Sequence, residues 1–228
     1  MEYIIGIDDT DNTESRGTGH LARFIAETLS QDFDVHGVTR HQLLEDERVP
    51  MTAKNSCAAI LFSGGLYPLE EMAMFARKII LDDFQPGSDP GLCVVNAVPI
   101  EVSEFGGCAQ RQLLNQKQAR DLATHHNIHL EGLGGTQDGV IGALAAVGLA
   151  ATGNDGRYVL VGHVRELDGL LPVSEVLDAG INQVITLDGV PVTEGLIQAE
   201  KMRPSRRDGL PVLFVELVEE KWMPLKLD

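Results

Sequence analysis

The chain has 228 residues, with 34 acidic against 18 basic side chains and a formal charge of −16. That length buries a core without disulfide or metal staples, and 43% hydrophobic with 23% charged residues excludes a disordered chain. So acidic a surface repels a phosphate backbone, and 5% aromatics leave little for base stacking, so broad nucleic-acid binding is not expected. Residues 3–7 form a β-prone apolar run ending in Asp8-Asp9-Thr10-Asp11. Residues 21–29 place apolar side chains at the spacing of an amphipathic helix. Residues 34–38 and 57–62 read as strands, 68–81 as a second helix and 92–98 as another buried strand. This order is βαββαβ, the ferredoxin-like pattern.

The second half predicts a helix over 108–125, a short strand at 128–130, a glycine-rich turn over 132–139 and a small-residue helix over 140–151. Strands follow at 158–164 and 212–218, with a looser segment between them. The fold expected is α/β (α+β) and two-lobed, a ferredoxin-like lobe over 1–100 packed on a second mixed α/β lobe over 101–228.

Cys57, Cys93 and Cys108 form no CxxC pair, so neither a zinc ribbon nor a disulfide framework is written here. The N-terminus lacks a basic region before its apolar run, and the longest apolar run, 140–151, is too short to span a bilayer. A cytoplasmic chain without membrane contact is therefore expected. His125-His126-x-x-His129 sits at a predicted helix end, where histidine suits the dipole, and a metal there is not expected. His20 and His41 fall nearer the acidic cluster and are better placed to meet a phosphate or a base. Arg203, Arg206 and Arg207 form a dense basic group, read either as an exposed loop or as an anion clamp.

The acidic cluster is the sharpest feature. Carboxylates just past a strand's carboxyl end sit where open α/β sheets hold ligands. Asp8, Asp9 and Asp11 are hard oxygen donors suited to magnesium, which binds through a few carboxylates plus substrate phosphates. The alternative is an exposed acidic turn capping the next helix. The turn Gly132-Leu133-Gly134-Gly135-Thr136-Gln137-Asp138-Gly139 could offer N–H groups of Gly135 and Thr136 to a phosphate, or serve close helix packing.

Two families write such a line. Asp9-x-Asp11-x-Thr13 after an apolar strand resembles the first motif of haloacid-dehalogenase-like phosphatases, which implies an Asp9 nucleophile, with Ser63 mimicking the second motif. The longer resemblance is to the kinase-like and ferredoxin-like domains of archaeal agmatidine synthetase. It is carried by Gly6-Ile7-Asp8-Asp9-Thr10-Asp11, by Thr18 before Leu21-Ala22, and by Pro50 with Thr52, Lys54, Asn55 and Ala58. It continues through Asp89-Pro90-Gly91-Leu92-Cys93, Gly139-Val140-Ile141-Gly142-Ala143 and Leu210-Pro211-Val212-Leu213-Phe214.

That family modifies cytidine in an isoleucine tRNA at the expense of ATP. The resemblance implies that Asp8, Asp9 and Asp11 serve magnesium and the ATP phosphates. Thr18 falls at the threonine the family autophosphorylates, and Lys54 at a basic residue facing phosphate. Asn55 belongs to the same segment, and Gly17 and Gly19 flank Thr18 at a helix start able to donate N–H groups. Phosphoryl transfer needs mostly positioning and charge neutralisation, which this set can supply.

There are departures from the pattern. No cysteine pairs exist for the family's zinc ribbon, and no segment matches its OB-fold domain. Arg16-Gly17-Thr18-Gly19-His20 stands where the family carries a cysteine and paired threonines, and Gln137-Asp138 where it carries a basic residue. The expectation is therefore a magnesium-dependent, ATP-binding, kinase-like protein acting on a small acceptor, with whole tRNA not expected as partner. The alternatives are the phosphatase and a non-catalytic nucleotide sensor.

Overall fold

The computed structural model describes residues 1–49 and 54–227; Pro50 and Thr52 of the resemblance lie outside the described residues. The chain divides into two compact units, Met1–Thr152 and Gly153–Asp228. The division expected near residue 100 falls inside the first of these.

The first unit begins β1 (Glu2–Asp8), α1 (Thr18–Leu29), β2 (Asp34–Gln42), β3 (Ser56–Ser63), α2 (Leu69–Asp82) and β4 (Gly91–Val95). This is the βαββαβ order read from the sequence. It continues with α3 (Ile100–Ala109), α4 (Gln116–His125), β5 (His129–Gly132) and α5 (Gly139–Ala151). The strands lie in the order β5-β4-β1-β3-β2, with every neighbour antiparallel. Of the helix expected over 108–125, residues 108–109 end α3 and α4 begins only after Asn115, which caps it: its side chain accepts from the Gln118 N–H while Gln118 reaches back to the Asn115 N–H.

Strand parity explains the layering. Alternate residues of a strand face opposite sides, so Ile4, Gly6 and Asp8 of β1 share one face and Tyr3, Ile5 and Ile7 the other. A side chain at Gly6 would strike the Ala143 carbonyl of α5, so the even face carries α5, with α3 behind it. Helices α1 and α2 pack the sheet through β2, β3 and β4. α5 is apolar all round and buried nearly throughout, as a core helix should be. Its small residues serve close packing, as Gly148 against the Val102 carbonyl and Gly142 against Asp8 show.

The second unit contains β6 (Arg157–Leu160), β7 (Leu170–Pro172), α6 (Val173–Asp178), β8 (Gln183–Thr186), β9 (Leu196–Gln198), β10 (Ser205–Arg207), β11 (Leu210–Val218) and β12 (Lys221–Pro224). Within it β6-β10-β11-β12-β9-β7 are hydrogen-bonded in that order, and β8 runs parallel to β11. The segment read as loose is thus short strands around Val184, Ile197, Leu213 and Val215. The strand expected over 158–164 stops at Leu160, and a 3-10 turn covers Val164–Glu166.

Candidate functional site

The antiparallel pairing of β1 with β4 sets Asp8 opposite Gly91. The carboxyl end of β1 therefore meets the loop that leads into β4, and α5 starts beside both. Asp8, being of even parity, points to the α5 side. Gly142 receives it: a Cβ there would lie 1.8 Å from Asp8 Oδ2. Burial, then the charges of Asp9 and Asp11, push the Asp8 carboxyl well above its ordinary range.

Asp9 turns the chain with φ of 50°, a left-handed conformation that aspartate tolerates better than most residues. Its carboxyl is raised from 3.8 to about 6, by burial first and then by Asp89, Asp11 and Asp138. Asp11 Oδ1 accepts the Thr18 hydroxyl at 2.8 Å and the Thr18 N–H at 3.2 Å, so a loop carboxylate caps α1 where Gly17 offers no side chain. The Thr10 hydroxyl and N–H donate to Thr18 Oγ1 at 3.2 and 3.3 Å. Thr18 is buried and fixed from two sides.

These residues line a cavity of about 370 Å³. Its acidic wall holds Asp8, Asp9, Asp11, Asp89 and Asp138; Arg48 and Lys54 supply positive charge; Leu43, Leu44, Leu113 and Ile141 supply apolar surface. Thr18, Asn55 and Thr136 also line it, whereas Gly17, Gly19 and Gly135 do not stand among the lining residues. Lys54 Nζ donates to Glu45 Oε1 at 2.7 Å. The Asn55 side-chain amide donates to the Leu44 carbonyl at 2.7 Å and the Asn55 backbone carbonyl accepts the Leu43 N–H at 2.9 Å, which ties the residues after β2 to those before β3.

The glycine turn is closed by Asp89. The Thr136 N–H donates to Asp89 Oδ1 at 2.9 Å and its hydroxyl to Oδ2. Gly135 has φ of +53°, and a Cβ there would fall 1.3 Å from Asp89 Oδ1. The Thr136 N–H expected to cradle a phosphate is thus taken by a carboxylate of the chain itself. Gln116 Nε2 donates at 2.7 Å both to the Thr136 carbonyl and to Asp138 Oδ1, tying α4 to the turn.

The family resemblance includes Asp89 without giving it a role, and neither Arg48 nor Gln116 carries a sequence signal that marks it as a site residue. Asp89 reaches the site through the pairing of Asp8 with Gly91, two residues further on, which no local pattern in the sequence encodes. Other expectations resolve otherwise. Ser63 pairs with Glu2, at the opposite end of β1 from Asp9, so the phosphatase-like second motif is not at the site. His41 is fully buried, bonded to Thr39 Oγ1 at 2.8 Å, and His20 sits 2.7 Å from an Arg16 nitrogen; neither lines the cavity. His129 lies 3.0 Å from Glu131 and His126 lies 3.8 Å from Glu101, so the histidines serve different acids.

Arg206 donates to the Tyr158 hydroxyl and the Gly209 carbonyl, and Arg207 lies over Phe214, so this basic group is bound into its own unit. The three cysteines are free thiols, Cys57 and Cys93 buried. Among the described residues no three His, Cys, Asp or Glu side chains form a group that could by itself hold a metal ion. No helix of the described residues is long and apolar enough to cross a membrane.

The structure is similar, with a TM-score of 0.58 and 25% identity over 65% of this chain and 36% of the other, to a tRNA fluorescent labeling enzyme. It is similar, with a TM-score of 0.57 and 25% identity over the same shares, to TiaS in complex with an isoleucine tRNA and ATP. TiaS is the agmatidine synthetase of that tRNA. The resemblance read from the sequence is a resemblance of fold as well. An uncharacterized protein of Methanocaldococcus jannaschii is 25% identical over 152 residues. The chain spans about half the length of that relative, since the match covers 50% of it and 65% of this chain. No family model matches.

Proposed function

We propose that the cavity of the first unit binds ATP with magnesium, and that the chain, in the cytoplasm, transfers phosphate to or activates a small acceptor. The observation that supports this most is the convergence of acids from three segments, Asp8 with Asp9 and Asp11, Asp89, and Asp138, beside Thr18 and two cations. The donor set is hard oxygen throughout. Magnesium keeps several waters and binds through one or two carboxylates plus substrate phosphates, so it needs no closed protein cage. Asp9 would hold it most directly, with Asp8 or Asp11 as a second donor, and it would neutralise charge on the transferring phosphate.

The chain's own residues supply the rest. The raised carboxyls of Asp8 and Asp9 mark crowded negative charge, which a cation relieves. Lys54 would leave Glu45 for the phosphates, and the leucines with Ile141 would take apolar parts of the ligand and exclude water. The Thr18 hydroxyl already donates to Asp11 Oδ1, the arrangement of a nucleophile beside its base, so Asp11 can take that proton. Similarity to a TiaS structure holding ATP and tRNA supports the nucleotide.

Calorimetry with ATP, with and without magnesium, tests the reading. The unaltered chain should bind only with the metal, and Asp9→Asn should lose at least tenfold in affinity. Unchanged affinity in Asp9→Asn refutes the assignment. With γ-labelled ATP, Thr18→Val should carry less label than the unaltered chain. Retention of tRNA on filters at physiological salt would replace the small acceptor by tRNA.

A further inference from the structure

Arg48 and Lys54 are the basic side chains lining the cavity, and both arrive on the connection between β2 and β3. Each is paired with an acid of that connection. Arg48 Nε and Nη2 donate to the two oxygens of Asp46 at 2.8 and 2.7 Å, a two-pronged grip. A guanidinium holds phosphate oxygens with the same fork. Arg48 lines the cavity and Asp46 does not, so the pair lies at its rim.

Asp46 is also anchored independently of the guanidinium. Its Oδ1 accepts the Arg48 N–H at 3.0 Å, and its carbonyl accepts the Val49 N–H at 3.0 Å. The acid therefore keeps its place if the guanidinium leaves. The Arg48 side chain is 71% exposed, and an ion pair so open to water is weak, so exchange for another oxyanion costs little. Five carboxylates also line the cavity, so an incoming polyphosphate has few positive partners and must draw on this one.

We infer that Arg48 is a phosphate-binding residue of the cavity, and that Asp46 holds it in reserve and competes with the ligand for its guanidinium. This rests on the reading of the cavity as a nucleoside triphosphate site. It assigns the polyphosphate, rather than the base or the acceptor, to the β2–β3 rim. A merely structural salt bridge would behave oppositely: removing either partner would loosen the rim and weaken binding.

The test is calorimetry of magnesium ATP, and separately of inorganic tripolyphosphate with magnesium, on four proteins: unaltered, Arg48→Ala, Asp46→Asn and the double variant. Arg48→Ala should weaken both ligands about tenfold, the worth of one charge-assisted contact. Asp46→Asn should tighten both about two- to fivefold, the worth of one exposed ion pair. The double variant should match Arg48→Ala alone. Tightening that persists in the double variant would be a general charge effect and overturns the inference, as does weaker or unchanged binding in Asp46→Asn. If the unaltered chain binds ATP and Arg48→Ala binds it equally, this inference alone fails. If the unaltered chain binds neither ligand, the triphosphate reading fails first and takes it along.

Discussion

Gly142→Ala separates helix propensity from the placement of Asp8. Gly142 lies in the first turn of α5, and glycine to alanine inside a helix ordinarily gains about 1 kcal/mol. Here the added Cβ would stand 1.8 Å from Asp8 Oδ2, 2.4 Å from its Cγ and 2.9 Å from its Cβ. Overpacking costs about 1–3 kcal/mol, and a collision with three atoms of one packed side chain belongs at the upper end. Setting about 3 against about 1 leaves a net loss of about 2 kcal/mol, or a fall in Tm of about 4–8 °C for a chain of this size. Urea titration followed by circular dichroism measures it, as a lower midpoint with unchanged slope. Asp8→Gly clears the obstructing atoms, so in that background Gly142→Ala should stabilise by about 1 kcal/mol. A single Gly142→Ala variant as stable as the parent, or more so, refutes the orientation of Asp8 into α5.

The raised Asp9 carboxyl makes stability depend on pH. Its folded value of about 6 exceeds the ordinary 3.8, so the folded chain holds the proton longer, and stability falls as pH rises from about 4 to about 6 and stays lower above. Asp9→Asn should flatten that decline and, without magnesium, gain about 1 kcal/mol at pH 7 once solvent screening is discounted; equal slopes of denaturation midpoint against pH in both proteins would contradict it. Asn115→Ala removes the α4 capping box and should cost about 1 kcal/mol in urea. Because α4 also holds the glycine turn through Gln116, the same variant should weaken magnesium ATP binding, and a stability loss with unchanged affinity would uncouple the two.

The first four strands and two helices were readable because their apolar residues keep the periods of strand and helix, and the acids Asp8, Asp9 and Asp11 follow the first strand directly. What could not be read was which segments the sheet would bring to that strand end. Antiparallel pairing delivers Asp89 beside Asp8, and α5 delivers Asp138, by contacts that no local pattern encodes. The same pairing carries Ser63 away from Asp9, although its sequence neighbourhood mimics a motif. Helix α3 was overlooked because Gly106 and Gly107 interrupt its pattern, although Pro99 marks its start. In the second unit the β11–β12 hairpin turns on Glu219 and Glu220, both with positive φ, where a glycine or asparagine would have signalled it.

The three neighbouring acids of the motif cannot be interchangeable, even though the sequence presents them as one cluster. Asp8 obeys strand parity and is spent on the α5 side, in space that only Gly142 leaves open. Asp11 is committed to the Thr18 hydroxyl and N–H, so its loss would loosen α1 as well as the site. Asp9, thrown off parity by its left-handed backbone, is the one whose charge is felt jointly by Asp89, Asp11 and Asp138. A cation entering the cavity therefore relieves repulsion chiefly through Asp9. It follows that magnesium should raise the stability of Asp11→Asn nearly as much as that of the unaltered chain, and that of Asp9→Asn hardly at all. Equal responses in the two variants would return the motif to an undivided patch of charge.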